Sequence, residues 1–245
     1  MKLQIHDTYA AMSAAAAALV MDTLRAKPTA LLCFATGDTP RLTYELLAAR
    51  IQEEKVDTSQ CTLIGLDEWL GIPPENEGSC DYFLHHYLIN PLGLKPRQVH
   101  LFDGLSDDLE NECAMMNGLI SDKGGIDLAL VGVGMNGHIG FNEPGTPVDA
   151  AAHVSALEPI TTQVGQKYFM GEQPLHSGLT VGLKQLLEAR QLIMIANGEK
   201  KAPVLRQMME GEISNLFPAS LLRQQVNGFL LTDSAAAAML TTQKE

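Results

Sequence analysis

The chain reads as an α/β protein with a doubly wound, mostly parallel sheet and helices on both faces. Three observations predict this. Short apolar runs bounded by turn formers alternate with longer segments of helical spacing. The runs TALLCFA, CTLIGL, IDLALVGVG and QLIMIANG are apolar throughout rather than at every second residue, as strands covered on both faces require. No linker-like stretch or internal repeat breaks the alternation, so residues 1–245 read as a single domain.

Taken in order, residues 7–26 are rich in Ala, Leu and Met and predict a helix that Lys27-Pro28 ends. A buried strand follows in TALLCFA, broken by Gly37, Asp38 and Pro40. Leu42, Leu46, Leu47 and Ile51 then recur at helical spacing. CTLIGL is a second strand, DEWLGIPPENEGSC a loop, and DYFLHHYLINPL a helix that stops near Pro91. Residues 98–102 form a third strand, LENECAMMNGLISDKG a glycine-terminated helix and IDLALVGVG a fourth strand. LTVGLKQLLEAR reads as a helix opening near Thr180, and QLIMIANG is a fifth strand. KKAPVLRQMMEG and ASLLRQQ are helices, and NGFLLTD is the last strand. In such sheets a ligand sits beyond the carboxyl ends of the strands, so the chemistry is sought in the loops that follow them.

The bulk numbers narrow the classes. With 29 acidic and 17 basic residues the net charge is −12, which disfavours nucleic acid and anionic membranes as partners. A bound anion must then be held locally, by backbone N–H groups and a few placed cations. Cys33, Cys61, Cys80 and Cys113 are widely and irregularly spaced with no CxxC pair, so no metal site is expected. The opening residues read as neither a signal peptide nor a membrane span, and a cytoplasmic protein with reduced thiols is expected. The adjacent His85 and His86 point different ways on a helix and suit surface or packing roles.

Three post-strand loops carry candidate chemistry. In FATGDTP, Gly37 allows a tight turn, Thr36 and Thr39 offer hydroxyls, and the next helix presents free N–H groups. This is either a phosphate site or an ordinary turn capped by Thr39. In GLDEWLGIPPENEGS, Asp67 and Glu68 directly follow an apolar strand. Asp67, shielded by Leu66 and Trp69, reads as a general base or as a turn cap, with Glu68 solvated. VGVGMNGHIGFNEPG contains a formal GxGxxG at Gly132, Gly134 and Gly137. Pro144 and further glycines argue against the long helix that a dinucleotide site needs. His138 and Glu143 there read as a His–carboxylate pair suited to proton transfer, or as a structural histidine in a tight loop.

Together ATGDTP, GLDEWLGIPPENEGSCDYF and GVGMNGHIGFNEPG resemble the glucosamine-6-phosphate deaminase family, and LTVGLKQLLEA and NGEKKAPVL extend the likeness over nearly the whole chain. The wording around LTYELL and TVGLKQLLEAR is similar to the galactosamine-6-phosphate deaminase/isomerase branch. The resemblance implies a three-layer αβα sandwich like a Rossmann sheet. It also implies conversion of a 2-amino-2-deoxy-hexose 6-phosphate and water to a ketohexose 6-phosphate and ammonia, with no metal or redox cofactor. By resemblance, Asp67 is the base that moves a proton between C2 and C1, His138 assists ring opening and Glu143 is its carboxylate partner. Asn136 stands where the family has Asp or Asn and takes an orienting role. Thr36, Gly37, Asp38, Thr39 and Lys201 would hold the phosphate, with Lys167 where some members carry arginine. The small-molecule sugar phosphate is the expected partner, and a homo-oligomer stays open. Where allosterically activated members carry a basic cluster after the NEP motif, TPVDAAAHVSAL has no Lys or Arg. The alternatives are a 6-phosphogluconolactonase-type hydrolase on the same fold and a non-catalytic sugar-phosphate sensor, which would lack the base or the histidine.

Overall fold

The structure, a computed structural model, describes residues 1–241. Its ten strands are β1 (Lys2–His6), β2 (Leu31–Phe34), β3 (Thr62–Gly65), β4 (Asp67–Trp69), β5 (Val99–His100), β6 (Leu128–Val131), β7 (His153–Ala156), β8 (Ser177–Thr180), β9 (Gln191–Ala196) and β10 (Gly228–Asp233). Seven of them form one sheet in the order β1-β10-β9-β6-β2-β3-β5, and every pairing in it is parallel. The helices are α1 (Tyr9–Ala26), α2 (Asp38–Glu54), α3 (Cys80–Leu84), α4 (Asn90–Leu92), α5 (Leu109–Asp122), α6 (Pro159–Gly165), α7 (Leu183–Leu187) and α8 (Ala202–Glu210), with a π-helical stretch His85–Ile89 joining α3 to α4. The doubly wound α/β class read from the sequence is the class observed.

Alternation along the strands builds the three layers. Leu32 and Phe34 of β2 turn to one face, where α1 and α2 bring Met12, Ala16, Ala17, Tyr44 and Leu47. Leu31 and Cys33 turn to the other, where α5 and α8 bring Met116, Ile120, Leu205 and Met208. Each central strand is therefore apolar at every position because it feeds two cores at once. The alanine run of α1 serves this packing, since Ala16 and Ala17 are fully buried against the sheet.

Several elements differ from the sequence reading. A strand, β1, precedes the first helix and pairs with β10 at the sheet edge. DEW and the residues around Thr180, read as loop and as helix start, form β4 and β8, and with β7 they make a separate antiparallel sheet. Their apolar positions are too few to display a period, and cross-strand pairing rather than local pattern makes them strands. The helix expected near Thr180 begins at Leu183. ASLLRQQ, read as a short helix, falls mostly within a tighter 3₁₀ stretch over Pro218–Gln224.

The chain runs β2, β3, β5 in one direction and then returns to place β6 on the other side of β2. That reversal opens a crevice at the carboxyl ends of β2, β3 and β6, the point where open α/β sheets bind ligands.

Candidate active site

One cavity of about 200 Å³ lies in this crevice. Its wall includes Thr36 and Gly37 from the turn after β2, Asp38 and Thr39 from the start of α2, Asp67 after β3, His138 after β6, and Lys167 and Lys201. Residues separated by more than a hundred positions thus meet in one space. Glu143 and Asn136 lie behind His138 rather than on the wall.

The small antiparallel sheet positions the carboxylate. Leu66 donates its N–H to Phe34 O at 3.0 Å and accepts from Val181 N at 2.8 Å, so the backbone just before Asp67 is clamped between the two sheets. Thr180, opposite Asp67 in register, also accepts the N–H of Phe141 on its hydroxyl at 3.1 Å, tying the histidine loop to the same strand. Burial pushes the Asp67 carboxyl up to about 6, although a hydrogen bond from Cys80 and the nearby His138 work against the rise. A carboxylate titrating just below neutrality is ionised at working pH yet basic enough to take a proton.

Glu68 points the other way and is buried, not solvated. Its carboxylate accepts from Trp69 N at 2.8 Å, Cys80 N at 3.0 Å and Asp81 N at 2.8 Å, which fastens the N-terminal end of α3 to β4. Burial raises it to about 7, the three N–H donors oppose that, and neighbouring Asp67 adds to it.

Hydrogen-bond polarity fixes the state of His138. Glu143 can only accept when ionised. Burial would raise its pKa, but hydrogen bonds from His138, Thr161 and Asn136 and the proximity of the imidazole hold it below the usual carboxylate range. Asn136 must therefore present its amide Nδ2 to Glu143, and does so at 2.8 Å. Its carbonyl Oδ1 then faces His138 Nδ1 at 2.7 Å, so Nδ1 carries a proton, and in the neutral imidazole Nε2 is the acceptor. The expected His–Glu pair is present at 3.5 Å, with Asn136 wedged between as the shorter link. Gly134 makes room for the ring, since a Cβ there would stand 2.2 Å from an imidazole carbon.

The cavity wall also carries a glycine turn, a helix start and two lysines. Gly37 adopts φ +106°, open to glycine, and a Cβ there would lie 2.9 Å from the Tyr168 hydroxyl. The turn leads into α2, whose first N–H groups have no partner within the helix. Tyr9 of α1 fixes it from beneath, its hydroxyl 3.1 and 3.0 Å from the carbonyl oxygens of Asp38 and Thr39. Lys201 donates to Val133 O at 2.6 Å, and burial, helped by Lys167, lowers its pKa to about 8. Lys167 pairs with the Asp38 carboxylate at 2.6 Å. The Asp38 side chain thus occupies a cation, and only its backbone suits a phosphate. The Thr39 hydroxyl donates to Asn197 Oδ1 at 2.8 Å and the Thr36 hydroxyl to Cys80 Sγ at 3.2 Å.

All ten residues singled out in the sequence cluster around this cavity. Of the supporting residues, Tyr9, Thr161 and Asn197 were not singled out, Cys80 was named only among the thiols, and Glu68 was read as solvated. A tyrosine in the first helix or a threonine in an irregular segment carries no local sign of its partner. Glu68 had one: its place at the end of a buried strand.

The family model for glucosamine-6-phosphate isomerases/6-phosphogluconolactonase matches residues 5–231. The glucosamine-6-phosphate deaminase of Bacillus pumilus (strain SAFR-032) is 39% identical over 226 residues, covering 91% of this chain and 93% of the relative. A solved monomeric glucosamine-6-phosphate deaminase of the NagB superfamily superposes with a TM-score of 0.94 at 34% identity, covering 98% of this chain and all of the other. The 6-phosphogluconolactonase of Trypanosoma brucei shares the fold at a TM-score of 0.77 and 18% identity over 98% of each chain. The chain belongs to the family of glucosamine-6-phosphate isomerases and 6-phosphogluconolactonases.

Proposed function

We propose that the chain is an amino-sugar-6-phosphate deaminase/isomerase that works with its own acid–base groups. The observation that carries this reading is that Asp67 and His138 border one cavity together with Gly37, Lys167 and Lys201. A hexose phosphate calls for both sets, acid–base groups for its reacting carbons and a glycine turn with cations for its dianion. Remote binding of the phosphate supplies energy to position the carbons.

In this proposal the His138 Nε2 lone pair takes the anomeric hydroxyl proton and returns it to the ring oxygen, opening the sugar. Glu143 and Asn136 hold the imidazole tautomer that makes this possible. Asp67 removes the C2 proton while the substrate's ammonium group gives a proton to the C1 oxygen, forming an enolamine, and Asp67 then returns its proton to C1, leaving an iminium at C2. Water adds to that iminium and ammonia departs, giving the ketohexose 6-phosphate. The position of Asp67 just after a strand, fixed by two sheets, suits one carboxylate reaching two adjacent carbons.

The test is ammonia release from glucosamine 6-phosphate and galactosamine 6-phosphate side by side, with hydrolysis of a 6-phosphogluconolactone as the third arm. Ammonia from either sugar is the expected outcome. We favour galactosamine 6-phosphate, on the wording of the 42–47 and 180–190 segments. Lactone hydrolysis without ammonia release would replace this reading with the hydrolase, and binding of all three without turnover would replace it with a sensor.

A further inference from the structure

Cys80 has no part in the scheme above, yet its thiol is buried on the cavity wall beside the base. Its Sγ lies 3.6 Å from Asp67 Oδ1, a hydrogen-bond separation for the large sulfur atom. On its other side Sγ accepts the Thr36 hydroxyl at 3.2 Å. Because Thr36 supplies the proton of that contact, the S–H bond is free to point at Asp67, and a carboxylate can only accept. Three elements meet here: Thr36 follows β2, Asp67 opens β4, and Cys80 opens α3. The placement of the thiol is itself secured, since Glu68 holds the Cys80 N–H at 3.0 Å and the Asp81 N–H at 2.8 Å.

We propose that Thr36 and Cys80 form a hydroxyl–thiol pair that positions Asp67, fixing the rotamer of the base through an S–H···O hydrogen bond that favours its ionised form. The proposal rests on the reading of Asp67 as the base. Two properties fit it. Burial holds the Cys80 thiol well above its ordinary pKa, so it stays S–H and remains a donor. A thiol is a weak donor, so it steadies a carboxylate without the strong stabilisation that would blunt its basicity. The pair also turns the Thr36 hydroxyl away from phosphate binding and links the phosphate loop to the base.

The other groups that act on Asp67 must be held constant for the test. These are His138 on the loop after β6, Glu68 beside it, Cys33 on β2 and Tyr44 on α2, none of which is changed by the variants below. In the wild type, kcat/KM falls as pH drops through about 6, where Asp67 becomes protonated. Cys80→Ala removes a donor to the ionised form, so that limb moves to higher pH. The expected shift is a three- to tenfold rise in proton affinity, the effect of one ordinary net hydrogen bond. Cys80→Ser restores the limb to its original position or below it, and Thr36→Val moves it part of the way upward. Superimposable limbs in wild type and Cys80→Ala overturn the proposal.

A second measurement needs no turnover. The S–H stretch absorbs in an infrared window free of other protein bands, and the Cys80 band is identified by its loss in Cys80→Ser. Asp67→Asn, which replaces a charged acceptor by a neutral one, is expected to move that band to higher frequency. A band at the same frequency in wild type and Asp67→Asn overturns the proposal whatever the substrate. Failure of ammonia release would sink the assigned reaction while the infrared comparison still decides the thiol contact, so the two failures are distinguishable.

Discussion

The two ends of the cavity are built on different principles. At the reacting end, Glu143, Asn136, His138 and Thr161 satisfy one another, and Asp67 is clamped between two sheets. At the proposed phosphate end the cations are parked on substitutes. Lys167 rests on the Asp38 carboxylate, with both side chains about half exposed, and Lys201 on the carbonyl of Val133. An exposed ion pair is worth about 0–1 kcal/mol, so exchanging it for a phosphate dianion costs little. Chemistry thus has a preorganised site, where reorganisation during reaction would cost rate. Binding has an adjustable one, where reorganisation happens once per encounter. Mutations at the two ends should then separate into effects on kcat and effects on KM.

The largest expected effect tests the rigid end. Asp67→Asn should lower kcat by about 10²–10⁴-fold with KM changed far less, since an amide cannot carry the proton. The same substitution should stabilise the fold. A carboxyl whose folded pKa is raised to about 6 destabilises the native state wherever it is ionised. That penalty is present above about pH 6 and absent below about pH 4, the unfolded value. Asn removes it, so thermal unfolding at pH 8 should show a gain on the order of 1–2 kcal/mol that vanishes at pH 4. A loss of stability at pH 8 would mean that Asp67 is not desolvated as described.

The adjustable end should respond in KM. Lys201→Met removes a charge-assisted contact to phosphate and is expected to raise KM roughly tenfold to a hundredfold, with kcat nearly retained. Its pH signature sharpens the assignment. Burial places the Lys201 ammonium near 8, so it is charged below that pH and neutral above it. Wild-type kcat/KM should therefore fall as pH rises through about 8, and this limb should be missing from Lys201→Met. An unchanged alkaline limb in the variant assigns the titration to another group.

The contrast between the ends also explains what could be read in advance. The main sheet was legible because strands feeding two cores are apolar at every position, as in LALV of β6. Most of the singled-out residues on the cavity wall were legible because they closely follow such strands, Lys167 being the exception. The second sheet was not, because three residues in β4 and four in β8 have no period to display and owe their conformation to each other. The supporting contacts were hidden for a related reason. Tyr9 meets the phosphate loop from about 30 positions away, and Thr161 meets His138 from 23, distances that only the folded topology closes.

The smallest effect probes how the rigid end is held. Glu68 and Asp67 are adjacent carboxyls with opposite tasks: one faces the cavity, the other fastens α3 through three N–H groups. Glu68→Gln keeps the size of the side chain but replaces one acceptor oxygen by a donor NH₂, which cannot pair with an N–H. One backbone group at the start of α3 is then left without a partner in a buried setting, a cost of about 1–2 kcal/mol partly offset by removing a desolvated charge next to Asp67. The offset depends on pH. Glu68 sits near 7, so the wild type carries a desolvated charge above that value and sheds it below, gaining stability as pH falls. The advantage of the wild type in unfolding free energy should therefore be larger at pH 5 than at pH 8, and the native α3 amide protons of Cys80 and Asp81 should exchange faster in the variant at pH 8. Exchange rates equal to wild type at pH 8 would show that Glu68 is a bystander and that α3 is held by its packing alone.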